Sequence, residues 1–183
     1  MAHFQLVRFN PESHIALVDQ VTELLHQSYK PLAEMGLRYV ATHQDSNVTL
    51  ERLNKGASFL GFLDDELVST ITIIKEDPTD CCPWYQKSDV YYFSQFAVKP
   101  IYQGNGLGSM ILNFAEEYAK SHGALELALD TSEKAKHLIE LYSKKGYRTV
   151  DKANWDSTNY ESVIMSKSLN ILANNRGEES QNL

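Results

Sequence analysis

Residues 96–112 read FAVKPIYQGNGLGSMIL, a strand-like segment that passes through alternating glycines into an apolar-periodic helix. Gly104, Gly106 and Gly108 lack the Cβ atoms that hold a ligand away from the main chain, and Asn105, Leu107 and Ser109 complete the turn. The first N–H groups of a helix have no partner within it, and its dipole is positive at that end. The chemistry on offer is capture of an anion, with phosphate the best fit. Two common phosphate-binding patterns are excluded. A dinucleotide fingerprint needs glycine three residues after Gly106, where Ser109 stands, and a P-loop needs a lysine that does not follow these glycines. A tight strand-to-helix turn would by itself also account for the glycines.

The elements that must position this turn alternate between the helical and the strand period, as in a mixed α/β (α+β) domain. HFQLVRF (3–9) reads as a strand and PESHIALVDQVTELLHQSY (11–29) as a helix with Ile15, Val18, Val21, Leu24 and Leu25 on one face. Residues 30–45 lack a clean period and read as a loop, followed by a short helix capped by Ser46 or Asn47. ASFLGFLDDELVSTITIIK is a hairpin turning at Asp64 and Asp65, DPTDCCPWYQKSD a loop, and VYYFSQFAV (90–98) a strand. The next helix starts near Asn105, with Leu107, Met110, Ile111, Phe114, Ala115 and Tyr118 facing inward. A strand at 124–130, a helix at 132–145 closed by Gly146, and strands near YRTVD and SVIMSKSL complete the pattern.

The length of 183 residues suits a single domain, placed at 1–170, with a polar tail at 171–183 expected to be disordered. A net charge of −7 disfavours nucleic acid and anionic membranes as partners. No basic flank precedes an apolar run at the N-terminus, and no 18 apolar residues occur together, so a cytoplasmic location is the expectation. Cys81 and Cys82 are adjacent, so they cannot staple distant segments, and no metal site is expected.

QGNGLG (Gln103–Gly108), preceded by VKP, is similar to the Q/R-x-x-G-x-G/A acyl-CoA motif of the GNAT superfamily of N-acetyltransferases. HLIELYSKKGYRTV (137–150) resembles a later helix of that family, in which a Tyr stands four residues before a Gly-aromatic pair. The resemblance implies a single central sheet of about seven strands, mixed but mostly antiparallel, flanked by helices and splayed at the strand before the glycine loop. It implies acetyl-CoA as cosubstrate, with pyrophosphate on the loop and pantetheine lying along Phe96, Ala97 and Val98. A backbone N–H at Val98 or a neighbour would face the thioester oxygen, and Tyr142 would protonate the departing thiolate.

This sequence departs from the family's pattern in two places. Relatives often carry a Glu on the strand before the loop; here Ser94 or Tyr92 would act through water, or a base would come from His43, Asp45 or Glu34. Relatives often carry an Asn seven residues before the Tyr; here that slot is Ala135, and Thr131, Ser132 or Lys134 would compensate. Glu34, Arg38, Tyr39 and His43, with Asn159 and Tyr160, are expected around the acceptor. The function expected is acetyl transfer to the primary amine of a small molecule, with room for a homodimer. The alternatives are acetylation of a protein N-terminus or lysine, and a noncatalytic acyl-CoA sensor.

Overall fold

The computed structural model describes residues 3–78 and 80–170; the expected tail, 171–183, lies outside them. One seven-stranded sheet runs in the order β1-β2-β3-β4-β5-β7-β6, formed by Phe4–Arg8, Ala57–Leu63, Glu66–Ile74, Val90–Val98, Glu126–Ser132, Arg148–Ala153 and Ser162–Ser168 in chain order. All neighbours are antiparallel except β4 and β5.

Helices cover both faces of the sheet. On one, α2 (Val18–Glu34) and α3 (Ser46–Asn54) bury Val21, Leu24, Leu25 and Leu53 against Leu60, Leu67 and Ala97. On the other, α4 (Leu107–Ser121) buries Ile111, Leu112, Ala115 and Ala119 among Phe59, Ile71, Ile73, Phe93 and Leu127. Ile139 and Tyr142 of α5 (Lys136–Lys144) pack against that same core.

Several boundaries differ from the sequence reading for local reasons. The first helix is two: α1 (Pro11–His14), capped by Asn10, whose side chain accepts from the Glu12 N–H at 2.9 Å, and α2 beyond a 3-10 turn at Ile15–Leu17. Helix α2 runs through Pro31 to Glu34, so the irregular segment begins at Met35 and not at residue 30. The cap of α3 is Asp45, whose Oδ1 accepts from the Val48 N–H at 2.9 Å, rather than Ser46 or Asn47. Helix α4 starts at Leu107, after Gly106 has turned the chain with φ of 84°, and Met110 is 54% exposed while Leu112 and Ala119 fill the inner face. Residues 132–135, read as helix, end β5 and turn into α5; Ala135 is fully buried there.

Two irregularities open the sheet. Strands β4 and β5 pair only from Val90↔Glu126 to Tyr92↔Ala128 and then diverge. On the other edge of β4, Thr72 faces Ser94 while Thr70 faces Ala97, so one extra residue stands on β4. The bulge contains Gln95 at φ 49°, a left-handed conformation that a non-glycine residue holds only when its surroundings fix it.

Candidate active site

The bulge re-aims the end of β4. In an extended strand the N–H and C=O of one residue leave by the same edge. The Phe96 carbonyl accepts from Tyr29 Oη at 3.2 Å, and the Val98 carbonyl from Ser28 Oγ at 3.0 Å and Gln103 Nε2 at 2.8 Å. The Phe96 and Val98 N–H groups therefore face the gap between β4 and β5. Gln103 fastens the turn to the strand end.

A cleft of about 370 Å³ fills this gap on the loop side. Its walls are Ser28, Tyr29, Leu32, Tyr39, Phe96, Ala97, Val98, Gln103, Gly104, Gly108, Asp130, Thr131, Leu138, Leu141 and Tyr142. Gly104 and Gly106 hold φ of 79° and 84°, and a Cβ on either would stand in open space with no atom within 4 Å. The turn thus presents bare backbone to whatever approaches the start of α4. Gly108 differs: its φ is ordinary, and a Cβ there would point at Phe96 and Val98, both at 3.8 Å. Its role is close packing of helix on strand. Asn105 is exposed and Leu107 half-buried. A cation that the sequence reading missed stands beside the turn, with Lys145 Nζ donating to Ser109 Oγ at 2.7 Å. This combination suits the pyrophosphate of acetyl-CoA.

A second cleft, of about 250 Å³, opens on the other side of β4. Tyr92 and Ser94 line it, as do Tyr160 from the β6–β7 loop, Arg52 from α3, and Asp80 and Tyr85 from the loop before β4. The two clefts share Tyr29, Tyr39, Phe96, Asp130 and Tyr142, and so meet at the point of divergence.

Asp130 is the carboxylate at that meeting point. It has no counterpart among the bases expected from the sequence, because it lies on β5 rather than on the strand before the loop. Tyr85 Oη donates to Oδ1 and Ser162 Oγ to Oδ2, both at 3.4 Å. Burial raises its pKa above the ordinary aspartate value, against the lowering influence of Arg52 and these two hydrogen bonds. Its sequence signal is slight, because it ends the segment ALELALD, which already carries a second carboxylate at Glu126.

Tyr142 is half-buried on α5 and faces both clefts. Its hydroxyl makes no hydrogen bond among the described residues, and burial raises its pKa well above the ordinary tyrosine value. Tyr39 Oη bonds Thr131 Oγ1 at 2.8 Å and accepts from the Ser132 N–H at 2.9 Å, closing the end of β5, with the Tyr160 ring 4.8 Å away. Tyr92 stacks on Tyr85 at 4.0 Å, and burial raises its pKa too.

Other expected residues stand elsewhere. Glu34 is exposed and pairs with Lys30 at 4.0 Å. His43 is exposed beside Thr42, and Asp45 is occupied as a helix cap. Asn159 ties the β6–β7 loop to the segment after α2, accepting from the Arg38 N–H at 2.8 Å and donating to the Gly36 carbonyl at 2.9 Å. None of these, nor the Arg38 side chain, lines either cleft. Lys134 is exposed, its N–H donating to Ser132 Oγ at 3.1 Å. Among the described residues no group of His, Cys, Asp and Glu is arranged to hold a metal ion, and no helix is long and apolar enough to cross a membrane.

The geometry can be compared with known proteins. S-(2-succino)cysteine N-acetyltransferase of Bacillus subtilis strain 168 is 28% identical over 134 residues, covering 70% of this chain and 77% of that protein. S-alkylcysteine N-acetyltransferase of the same organism is 29% identical over 143 residues, covering 73% and 76%. The crystal structure of a GNAT family acetyltransferase from Elizabethkingia anophelis with acetyl-CoA bound superposes with a TM-score of 0.62 at 14% identity, covering 90% of this chain and 97% of that one. Residues 18–147, from the start of α2 to the Gly-Tyr pair after α5, match the model of the acetyltransferase (GNAT) family. With that match spanning both the glycine turn and the helix of Tyr142, the chain belongs to the GNAT family of acetyltransferases, which use acetyl-CoA.

Proposed function

We propose that this acetyltransferase moves the acetyl group from acetyl-CoA to the primary amine of a small molecule by direct attack within a ternary complex. The observation that carries the reading is the junction of the two clefts at Tyr29, Tyr39, Phe96, Asp130 and Tyr142, beside the open edge of β4. Acetyl-CoA enters from the loop side, its pyrophosphate on the first turn of α4. The N–H groups of Phe96 and Val98 are the donors for the thioester oxygen as negative charge grows on it.

The amine enters from the other cleft. An alkylammonium must lose a proton before it attacks, and Asp130 accepts that proton. Tyr142 protonates the departing thiolate, for which a phenol that carries its proton at pH 7 and makes no hydrogen bond among the described residues is suited. A cleft of about 250 Å³ favours a small acceptor over a protein terminus or lysine. The amines named in the two Bacillus relatives, S-substituted cysteines, are the first acceptors to try.

The test is release of free thiol from acetyl-CoA across a panel of amines, beside calorimetric titration of acetyl-CoA alone. Turnover of a small amine supports the reading. Binding of acetyl-CoA with no thiol release on any amine would make the protein a sensor of acyl-CoA.

A further inference from the structure

Two cations line the acceptor cleft, the exposed Lys55 and the more buried Arg52, and the transfer chemistry uses neither. Arg52 reaches the cleft from α3, half-buried, and forms no ion pair among the described residues. Among the described residues its guanidinium makes one hydrogen bond, from Nη1 to Gln44 Oε1 at 2.5 Å, out of five N–H donors. Burial lowers its pKa, yet a guanidinium stays charged at any physiological pH. A half-buried cation with most of its donors unused, facing a cleft, is complementary to an anion arriving in that cleft.

Its placement is built rather than incidental. The Gln44 amide nitrogen donates to Thr49 Oγ1 at 2.7 Å and to Gln95 Oε1 at 2.9 Å, which leaves Gln44 Oε1 turned to the guanidinium. Gln95 is the left-handed residue of the β4 bulge, and its own amide donates to Thr72 Oγ1 at 3.4 Å. The bulge that turns the Phe96 and Val98 N–H groups into the gap therefore also orients Arg52, through Gln44. Acyl donor and acceptor share one reference point in the fold.

Across the same cleft stands Asp130, the acceptor of the amine's proton. A cleft of about 250 Å³ whose walls carry the carboxylates Asp130 and Asp80 and the cations Arg52 and Lys55 matches a zwitterion of amino-acid size. Tyr85, Tyr92 and Trp155 form a stacked aromatic wall, with ring centroids 4.0 and 6.4 Å apart, suited to an apolar side group.

We propose that Arg52 anchors the acceptor's carboxylate, so that the acceptor is an α-amino acid with a free carboxylate, its amine toward Asp130 and its side group on the aromatic wall. This rests on the transfer reading for its catalytic consequence, while the binding of the carboxylate does not depend on turnover.

The probes are S-benzyl-L-cysteine and S-benzylcysteamine, the same amine without its carboxylate, used on the full chain with Arg52→Met and Arg52→Lys. Wild type is expected to prefer the acid by about 10- to 100-fold in kcat/KM, the size of a lost charge-assisted hydrogen-bond pair. Arg52→Met should collapse that ratio toward unity, and Arg52→Lys should leave an intermediate one. Calorimetric titration of the acid into the CoA-loaded protein should show the same ranking of affinity, and melting curves check that the variants are folded. Arg52-dependent binding without thiol release keeps the anchor and removes the transfer reading. Turnover of both amines with no preference for the acid, or an equal loss on both in Arg52→Met, removes the anchor and keeps the transfer reading. No binding of the acid to wild type also removes the anchor.

Discussion

Tyr142 and Asp130 make opposite demands on the fold. Tyr142 uses its hydroxyl for nothing within the described residues, so Tyr142→Phe keeps the ring packed on Phe93 and Tyr147 at no cost in internal hydrogen bonds. Its melting temperature should match wild type, while turnover falls by about 10² to 10⁴, toward the lower figure because a thiolate leaves fairly well unprotonated. Asp130 is a carboxylate in a place that disfavours its charge. Because its folded pKa lies above the unfolded value, the group favours the fold while protonated, and that contribution is lost as pH rises through the folded pKa. Asp130→Asn should therefore melt higher than wild type at neutral pH, with the difference vanishing below the ordinary aspartate range. Its turnover should drop by about 10² to 10⁴. In wild type, kcat/KM should fall on the acid side along a limb lying above the ordinary aspartate range. The groups facing Asp130 that would modulate this limb are Arg52 and Asp80, with Tyr85 donating to it. An unchanged melting temperature together with full activity in Asp130→Asn would remove it from the mechanism.

The glycines of the turn show how elements divide labour that a motif treats as uniform. Gly106→Ala places a methyl in open space at φ 84°, at a backbone cost of about 1 kcal/mol, and on the proposed reading would intrude where the pyrophosphate approaches. Acetyl-CoA affinity should fall by at least tenfold in calorimetric titration. Gly108→Ala meets Phe96 and Val98 at ordinary contact distance and should leave affinity within about twofold, because an alanine is at home in a first helical turn. Equal losses in the two variants would contradict the division. The glycine turn, the succession of strands and helices along the chain and most of the apolar faces of α2 and α4 were legible because each depends on local periodicity or backbone freedom, although Ile15 and Met110, read as facing inward, are exposed. The acceptor cleft was not. Asp80, Tyr85, Arg52 and Asp130 come from a loop, a helix and a strand, and only the divergence of β4 from β5 brings them to one cleft. The segment 30–45 was expected to supply the acceptor site, yet of its polar side chains only Tyr39 reaches the clefts, since Glu34 pairs with Lys30, Asp45 caps α3 and Gln44 bonds Thr49 and Gln95.

At the scale of the molecule, the sheet consists of a four-stranded half and a three-stranded half joined along three residue pairs, Val90–Tyr92 with Glu126–Ala128. Beyond that seam each half has an edge facing the other across the cleft. An open strand edge in the middle of a domain is a place where amide hydrogens exchange with solvent through small local openings. Pantetheine laid along β4 would stand in for the missing pairing, so on the proposed reading acetyl-CoA would act as an eighth strand that arrives and leaves with every turnover. Amide exchange at Phe96 and Val98 should then slow when acetyl-CoA binds, while amides on the β3-facing edge of β4 should not respond. Melting temperature should climb with ligand concentration, by about 2.7 kcal/mol of stability at a hundred times the dissociation constant. The two halves would separate more readily after the acyl donor has gone than before, which makes the empty protein the form most exposed to proteolysis along the seam.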